Sequence, residues 1–162
     1  MDKIIGIKEI MAIRADLKRE RKVLVFTNGC FDLIHRGHVE YLKKAKSYGN
    51  VLLVAVNSDE SVKKIKGNYR PIITLDDRLF ILSNFSFVDF VIPFYEDTPE
   101  KLIREILPDI LIKGSDYDEE EIVGADIVRS SGGKVVTIPF VEGKSSSSII
   151  QTILKFCTKK DD

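Results

Sequence analysis

Histidine and cysteine are scarce in this 162-residue chain, which contains two of each. Cys30 and Cys157 are too few for a disulfide framework, and their spacing is not that of a cysteine zinc site. Basic and acidic residues balance at 25 each, so a formal net charge of zero gives no general affinity for nucleic acid or for an anionic membrane. The composition is otherwise that of an ordinary globular protein, with 44% hydrophobic and 31% charged residues.

Long apolar runs are also missing. The first five residues, Met-Asp-Lys-Ile-Ile, lack the cationic region and extended apolar stretch of a signal peptide, and no segment is apolar enough for a membrane span. We therefore expect a cytoplasmic protein. The length suits one domain with a single sizeable core.

Short apolar runs alternate with amphipathic segments, which predicts parallel strands joined by right-handed helical crossovers. The fold expected is α/β, a single doubly wound, Rossmann-like sheet of five strands with helices on both faces. Predicted strands cover 23–26, 51–56, 88–92, 110–112 and 135–138. Predicted helices cover 3–20, 36–48, 58–64, 75–84, a segment capped by Thr98 with Pro99 in its first turn, 119–131 and 145–156. This divides the chain into an N-terminal helix (1–20), the main domain (21–157) and a frayed tail (158–162).

Polar and basic residues follow the predicted strands, at the edge of the sheet where ligands bind in such folds. Both histidines, His35 and His38, lie in the loop after the first strand, three positions apart at the start of a helix, so that their side chains share one face. Basic or donor groups follow other strands at Lys66 and Arg70, at Lys113 to Asp116, and at Lys144 with four serines. In a chain of zero net charge, this concentration predicts a ligand with several negative charges.

Two predicted helix starts lie at the same edge, near residue 36 and near Ser145. A helix N-terminus offers unpaired backbone N–H groups and a partial positive charge, both of which suit phosphate. Gly29 would allow a phosphate close to the backbone, and the hydroxyls of residues 145–148 add donors. A polyphosphate is therefore the expected ligand.

Other nucleotide and metal sites fit less well. The first loop lacks the three glycines of the dinucleotide fingerprint, and neither Lys66-Gly67 nor Lys113-Gly114 has the order and spacing of a Walker A loop. Two histidines with Asp32 and Cys30 offer few of the ligands that zinc usually takes.

Residues 27–38, Thr-Asn-Gly-Cys-Phe-Asp-Leu-Ile-His-Arg-Gly-His, resemble the HxGH motif of the cytidylyltransferase-like nucleotidyltransferase superfamily. Residues 143–150, Gly-Lys-Ser-Ser-Ser-Ser-Ile-Ile, resemble its second motif, with Ser146 and Ser147 where threonines are usual. Segments at 55–59, 66–71, 96–99 and 107–117 are similar to one branch, the sugar-1-phosphate adenylyltransferase domain of bacterial heptose enzymes. The resemblance runs from about Val23 to Leu154.

The resemblance implies that ATP and D-glycero-β-D-manno-heptose 1-phosphate give ADP-heptose and pyrophosphate, for lipopolysaccharide core or surface polysaccharide synthesis. It implies a stand-alone, homodimeric form of a domain that many bacteria fuse to a sugar kinase. Mg²⁺ would be carried by the nucleotide phosphates, with no metal ligands from the protein. The catalytic residues implied are His35, His38, Lys66 and Arg70. The nucleotide-binding residues implied are Thr27, Asn28, Gly29, Cys30, Phe31, Gly37, Lys113, Gly114, Asp116, Ser145, Ser146, Ser147 and Ser148.

Other interpretations remain open at this point. The enzyme alternative is a cytidylyltransferase acting on glycerol 3-phosphate or a phospho-alcohol, although the segment before Gly143 lacks the arginine that many such enzymes carry. The non-enzyme alternative is a nucleotide-binding regulator. Among single residues, Asp32 is expected to cap the helix start or to orient its loop, and Cys30 to fill space. Arg78 is expected to pair with Asp76 or Asp77 if it has no role in the site.

Overall fold

The computed structural model of the chain describes residues 2–115, 121–139 and 143–158. Its strands are Leu24–Gly29 (β1), Val51–Asn57 (β2), Phe90–Phe94 (β3), Ile110–Gly114 (β4) and Lys134–Ile138 (β5). Its helices are Ile7–Arg19 (α1), Arg36–Lys46 (α2), Asp59–Lys66 (α3), Leu75–Ser83 (α4), Glu100–Ile106 (α5), Ala125–Ser130 (α6) and Ser146–Thr158 (α7). Among the helices in these ranges, none is long and apolar enough to cross a membrane.

The strands form one parallel sheet in the order β3-β2-β1-β4-β5, which confirms the predicted doubly wound α/β fold. The chain runs outward from β1 to β3 and then returns to add β4 on the other side of β1, where Val25 pairs with Ile110. Strand order therefore reverses between β1 and β4. A crevice forms at the carboxyl end of such a reversal, because the connections on its two sides leave in opposite directions.

Alternating side chains of the central strands enter two separate apolar layers. Leu24 and Phe26 pack on one face with Leu53, whereas Val25 packs on the other face with Leu52. All five are fully buried, which explains why the strands read as continuous apolar runs rather than as alternating ones.

The N-terminal helix begins later than predicted. The sequence pattern indicated a helix over 3–20, but α1 starts at Ile7 and the residues before it are extended beside β3. The backbone N–H of Ile5 donates to the Val91 carbonyl at 3.0 Å, and that of Val91 donates to the Lys3 carbonyl at 2.8 Å. These bonds satisfy backbone groups on the outer edge of β3, and this pairing outweighs the local preference for helix.

Helix α1 then packs onto the sheet. Ile10 and Leu17 enter the same apolar layer as Leu24, and Arg14 is only 5% exposed. The Arg14 guanidinium holds Asp109 through two hydrogen bonds of 2.8 and 2.7 Å. The N-terminal segment is thereby tied to the residue that precedes β4.

Two later helices also differ from the predicted pattern. Helix α5 begins at Glu100 with Pro99 in the capping position, so Thr98 does not cap it and no side chain does. Residues 119 and 120 of the predicted helix 119–131 lie outside the described residues. In the described remainder, helix α6 begins only at Ala125, because Gly124 precedes it in a left-handed conformation with φ 85°. A Cβ on Gly124 would lie 2.7 Å from the Ile103 side chain, so close packing of α5 fixes the start of α6 at this glycine.

Candidate active site

A cavity of about 350 Å³ opens at the carboxyl ends of β1, β2 and β4, where the strand order predicts a crevice. Three groups of residues form its wall around Tyr41, and Ser146 at the start of α7 completes it. The central group is Asn28 to Asp32 with His38; the group beside β2 and β3 is Asn57, Ile65, Lys66, Asp97, Thr98 and Pro99; the group beside β4 is Lys113, Gly114, Glu121, Ile122 and Val123.

The loop after β1 is held in shape by the buried carboxylate of Asp32. It accepts hydrogen bonds from the backbone N–H groups of Ile72 and Ile73 at 3.0 Å and from Nε of Arg70 at 2.5 Å. Burial alone would raise the pKa of Asp32, but these donors outweigh burial and the pKa lies below its ordinary value. Asp32 is therefore an anionic anchor between this loop and residues 70–73, which is the second of its two expected structural roles, while the helix start is capped by His35.

The two histidines cap the helix that follows. His35 is the N-cap of α2, and its Nδ1 accepts from the Gly37 N–H at 3.1 Å. Nδ1 of His38 accepts from the His35 N–H at 3.4 Å, and the two rings stack with centroids 4.0 Å apart. Because Nδ1 of each ring is an acceptor, the proton of each neutral imidazole sits on Nε2.

Both imidazoles are neutral at pH 7. Burial lowers the pKa of His38 to about 4, with help from the neighbouring charges of His35 and Lys66. Burial also lowers the pKa of His35, with help from Lys144 and Lys66. Of the two rings, His38 lines the cavity with a neutral Nε2–H beside the charge of Lys66, whereas His35 is not among the described residues that line it. A neutral donor beside a lysine charge suits phosphate oxygens.

Gly37 permits the stacking of the two rings. A Cβ at this position would lie 2.9 Å from Cε1 of His35 and 3.3 Å from Cβ of Lys144. Any larger residue would therefore displace the His35 ring or the Lys144 side chain. The predicted role of Gly37 in the nucleotide site is therefore to make room for the side chains that surround it.

The four serines begin a helix, as predicted, but their hydroxyls face different partners. Ser145 and Ser148 cap each other, with backbone N–H to Oγ distances of 3.1 and 3.3 Å. Ser146 donates its hydroxyl to the Asp32 carbonyl and is 7% exposed, whereas Ser147 is exposed. Of the four, Ser146 alone lines the cavity, and its bond joins α7 to the loop after β1.

The predicted basic residues separate into two kinds. Lys66, the last residue of α3, lines the cavity and acts electrostatically on His35 and His38. Arg70 is 8% exposed and paired with Asp32, and one of its terminal nitrogens is buried without a hydrogen-bond partner among the described residues. The structure thus brings Lys66 to the cavity and keeps Arg70 behind the loop.

The remaining predicted nucleotide-binding residues are also divided. Asn28, Gly29, Cys30 and Phe31 line the cavity, as do Lys113 and Gly114. Thr27 does not reach it, because its side chain is fully buried and bonds to the Tyr41 hydroxyl at 2.8 Å and the Ile112 carbonyl at 3.0 Å. Asp116 lies outside the described residues. Cys30 is a neutral thiol, since burial raises its pKa, and this agrees with a space-filling role.

Two residues outside the predicted set of catalytic and nucleotide-binding residues belong to the site or support it. Asn57, at the end of β2, is 4% exposed and lines the cavity beside Thr98. Arg78 is fully buried, and its carboxylate partner is Asp59 rather than the expected Asp76 or Asp77. The sequence signal for burial of Arg78 was the apolar stretch that follows it. Its partner Asp59 is 19 residues away in sequence, so local spacing could not identify the pair.

Comparisons with known proteins give a matching family model and several relatives. The family model described as cytidylyltransferase-like matches residues 26–152. The chain is similar to the protein named bifunctional protein HldE of Pseudomonas fluorescens, at 45% identity over 94% of this chain and 32% of that protein. It is also similar to the HldE of Geobacter metallireducens, at 50% identity over 88% of this chain and 29% of that protein. The chain therefore spans about a third of the length of these relatives.

Two solved structures resemble the fold. The lipopolysaccharide core biosynthesis protein from Thermoplasma volcanium gives a TM-score of 0.62 at 31% identity, over 76% of this chain and 99% of that one. The pantoate-beta-alanine ligase from Francisella tularensis, complexed with beta-gamma ATP and beta-alanine, gives a TM-score of 0.63 at 19% identity. That match covers 100% of this chain and 81% of the ligase, and at this identity it supports the fold alone.

Proposed function

This chain belongs to the cytidylyltransferase-like family, and we propose that it transfers AMP from ATP to a sugar 1-phosphate. The proposed acceptor is D-glycero-β-D-manno-heptose 1-phosphate, and the products are ADP-heptose and pyrophosphate. The observation that carries the proposal is the pair of neutral, stacked histidines beside Lys66 and the start of α7. The acceptor follows from the resemblance of residues 55–117 to heptose 1-phosphate adenylyltransferases.

The proposed reaction requires that the two substrates be positioned for attack and that the charge on the departing pyrophosphate be stabilised. An oxygen of the sugar phosphate, already ionised at neutral pH, attacks the α-phosphorus of ATP as the bond to the β-phosphate oxygen breaks. Charge moves onto the departing pyrophosphate. No base is required, and the neutral histidines with pKa values below 6.5 serve as hydrogen-bond donors through Nε2–H. The charge of Lys66 reduces repulsion between the two anionic substrates.

In this proposal the two substrates meet above β1. The adenosine occupies the side of the cavity with Lys113 and Gly114, and Asp116 borders it by resemblance. The sugar occupies the side with Asn57, Asp97 and Thr98, whose amide, carboxylate and hydroxyl groups suit a polyhydroxylated ligand. The phosphates lie between them, on the loop of residues 28–31 and at the start of α7, where Ser146 reaches the cavity.

Magnesium enters the proposal as part of the substrate MgATP. Within the described ranges, no three histidine, cysteine or acidic side chains are grouped closely enough to hold a metal ion. Asp32 is occupied by Arg70, which leaves it a poor ligand. In the proposal the ion is carried by the phosphates and stabilises their charge.

Arg70 has an indirect part in this proposal. Its bond to Asp32 holds the segment after α3 against the loop after β1, so it orients the site without contacting phosphate. A cytoplasmic homodimer remains part of the proposal, because enzymes of this fold often form dimers. Sedimentation velocity would test the dimer, and a single species of 18.4 kDa would contradict it.

Pyrophosphate release tests the reaction. ATP or CTP, with Mg²⁺, is paired with heptose 1-phosphate or glycerol 3-phosphate, and His38→Ala serves as the control. We expect release only with ATP and heptose 1-phosphate, and its loss in the variant. Release that depends on CTP would instead establish a cytidylyltransferase, and ATP binding without release from any pair would support a nucleotide-binding regulator.

A further inference from the structure

The guanidinium of Arg78 joins three segments that surround the active site. This side chain on α4 is fully buried, and its Nη1 donates to the Cys30 carbonyl at 2.5 Å. Its Nε donates to the Ile73 carbonyl at 3.1 Å, and its Nη2 donates to a carboxylate oxygen of Asp59 at 2.7 Å. The three acceptors belong to the loop after β1, the segment before α4 and the first turn of α3.

A buried arginine requires compensation, because the guanidinium remains charged even without water. Asp59 supplies the opposite charge and is 33% exposed at its side chain, so the pair extends from the interior to the surface. Removing one member of such a pair leaves the other charge uncompensated. The arrangement therefore constrains the segments that it joins rather than merely filling space.

Each joined segment carries or adjoins a group of the site. Cys30 begins the loop that ends in the histidine caps, and Asp59 begins the helix that ends at Lys66. The backbone N–H of Ile73 donates to Asp32 of the same loop, and the Ile73 carbonyl accepts from Arg78. Ile73 is therefore held at both of its backbone polar groups. A rigid helix of 8 residues then connects Asp59 to the cavity lysine.

We infer that Arg78 and Asp59 are positioning residues that set the location of Lys66 relative to His38. In the described part of the chain neither residue lines the cavity, so they act through α3 and the loop after β1 rather than on the substrates. The inference deepens the proposed function and rests on it, since Lys66 is assigned there to the phosphates. It adds a pair of residues to which the catalytic motifs themselves do not point.

The test compares Asp59→Asn with Glu60→Gln. Both changes remove one negative charge from the first turn of α3, but Glu60 is exposed and has no contact with Arg78. We expect kcat to fall about tenfold or more in Asp59→Asn, with a smaller change in KM for ATP, because a small displacement of a charge-stabilising group is costly. Glu60→Gln should behave as the wild type, and Asp59→Glu, which keeps the charge, should recover part of the loss.

A second readout follows the location of Lys66 directly. Its charge helps to lower the pKa of His38, so NMR titration of the His38 ring should give a higher pKa in Asp59→Asn than in Glu60→Gln. A purely structural role would lower the melting temperature without changing kcat or the His38 titration at 20 °C. Equal kcat and equal titration in the two variants would overturn the inference.

The same design separates the inference from the proposed reaction. If the wild type turns over none of the four substrate pairs, the proposed function fails, while the His38 titration still decides whether the pair positions Lys66. Should Asp59→Asn not fold, Arg78→Lys provides the second variant. It keeps a positive charge for Asp59 but cannot reproduce all three donor contacts, so a wild-type His38 titration in that variant would contradict the inference.

Discussion

His38 should make the stability of the protein depend on pH between about 6.5 and 4. Its pKa falls from 6.5 in the unfolded chain to about 4 in the folded protein, mainly because of burial. Between these values the unfolded chain binds more protons, so the stabilising contribution is complete above pH 6.5 and is lost as the pH falls. The shift of the His38 pKa corresponds to about 3 kcal/mol in the free energy of unfolding, of which about 2 kcal/mol is lost between pH 7 and pH 5.

The matched variant is His38→Asn. Asparagine can keep a side-chain acceptor for the His35 N–H but does not titrate. Urea unfolding followed by far-UV circular dichroism would give the free energy of unfolding of both proteins at several pH values. The wild type should lose about 2 kcal/mol more than the variant between pH 7 and pH 5, while the common titration of His35 largely cancels.

If the free energies of unfolding of the wild type and His38→Asn differ by the same amount at pH 7 and at pH 5, the reasoning is refuted. Such a result would mean that His38 titrates near its ordinary pKa and is a cation in the weakly acidic range. Direct NMR titration of the ring provides an independent check. Addition of ATP should raise the His38 pKa, because the triphosphate supplies negative charge where the empty site has the charge of Lys66.

Two further predictions concern the acceptor side and the N-terminal helix. In steady-state assays, Asp97→Asn should raise KM for the sugar phosphate and leave KM for ATP unchanged. The control Lys64→Met, which breaks the exposed ion pair with Asp97, should leave both KM values unchanged. A rise in KM for ATP in Asp97→Asn would contradict the proposed placement of the sugar. Arg14→Met should lower the free energy of unfolding by about 2 kcal/mol, because it removes the buried ion-pair partner of Asp109, which is itself partly exposed. Urea unfolding would measure this loss, and a change near zero would show that α1 is not anchored through this pair.

The fold could be predicted because its strands are buried on both faces. Such strands appear in the sequence as uninterrupted apolar runs such as 51–56, and the helices between them require parallel pairing. The structure of residues 3–5 could not be predicted from such a pattern. Residues 3–5 carry two isoleucines at spacings that suit a helix or a strand, and pairing with β3, 80 and more residues away in sequence, decides between them.

The site was predictable where its residues lie in one motif. His35 and His38 meet because three positions at a helix start place them on one face, and Ser146 reaches the same loop from a recognisable helix start. Burial was not predictable. Thr27 directly precedes the cavity residue Asn28, and Arg70 follows the cavity residue Lys66 in the same polar segment, yet both side chains are buried. Thr27 is bonded to Tyr41, and Arg70 is bonded to Asp32.

Transfer of label from an ¹⁸O-enriched acceptor tests the proposed chemistry most directly. Heptose 1-phosphate carrying ¹⁸O in its non-bridging phosphate oxygens is incubated with MgATP, and the products are analysed by mass spectrometry. Direct attack on the α-phosphorus predicts that all the label remains in ADP-heptose and that none appears in pyrophosphate. Labelled pyrophosphate, or an ADP-heptose that has lost label, would contradict attack by the sugar phosphate oxygen and with it the proposed function.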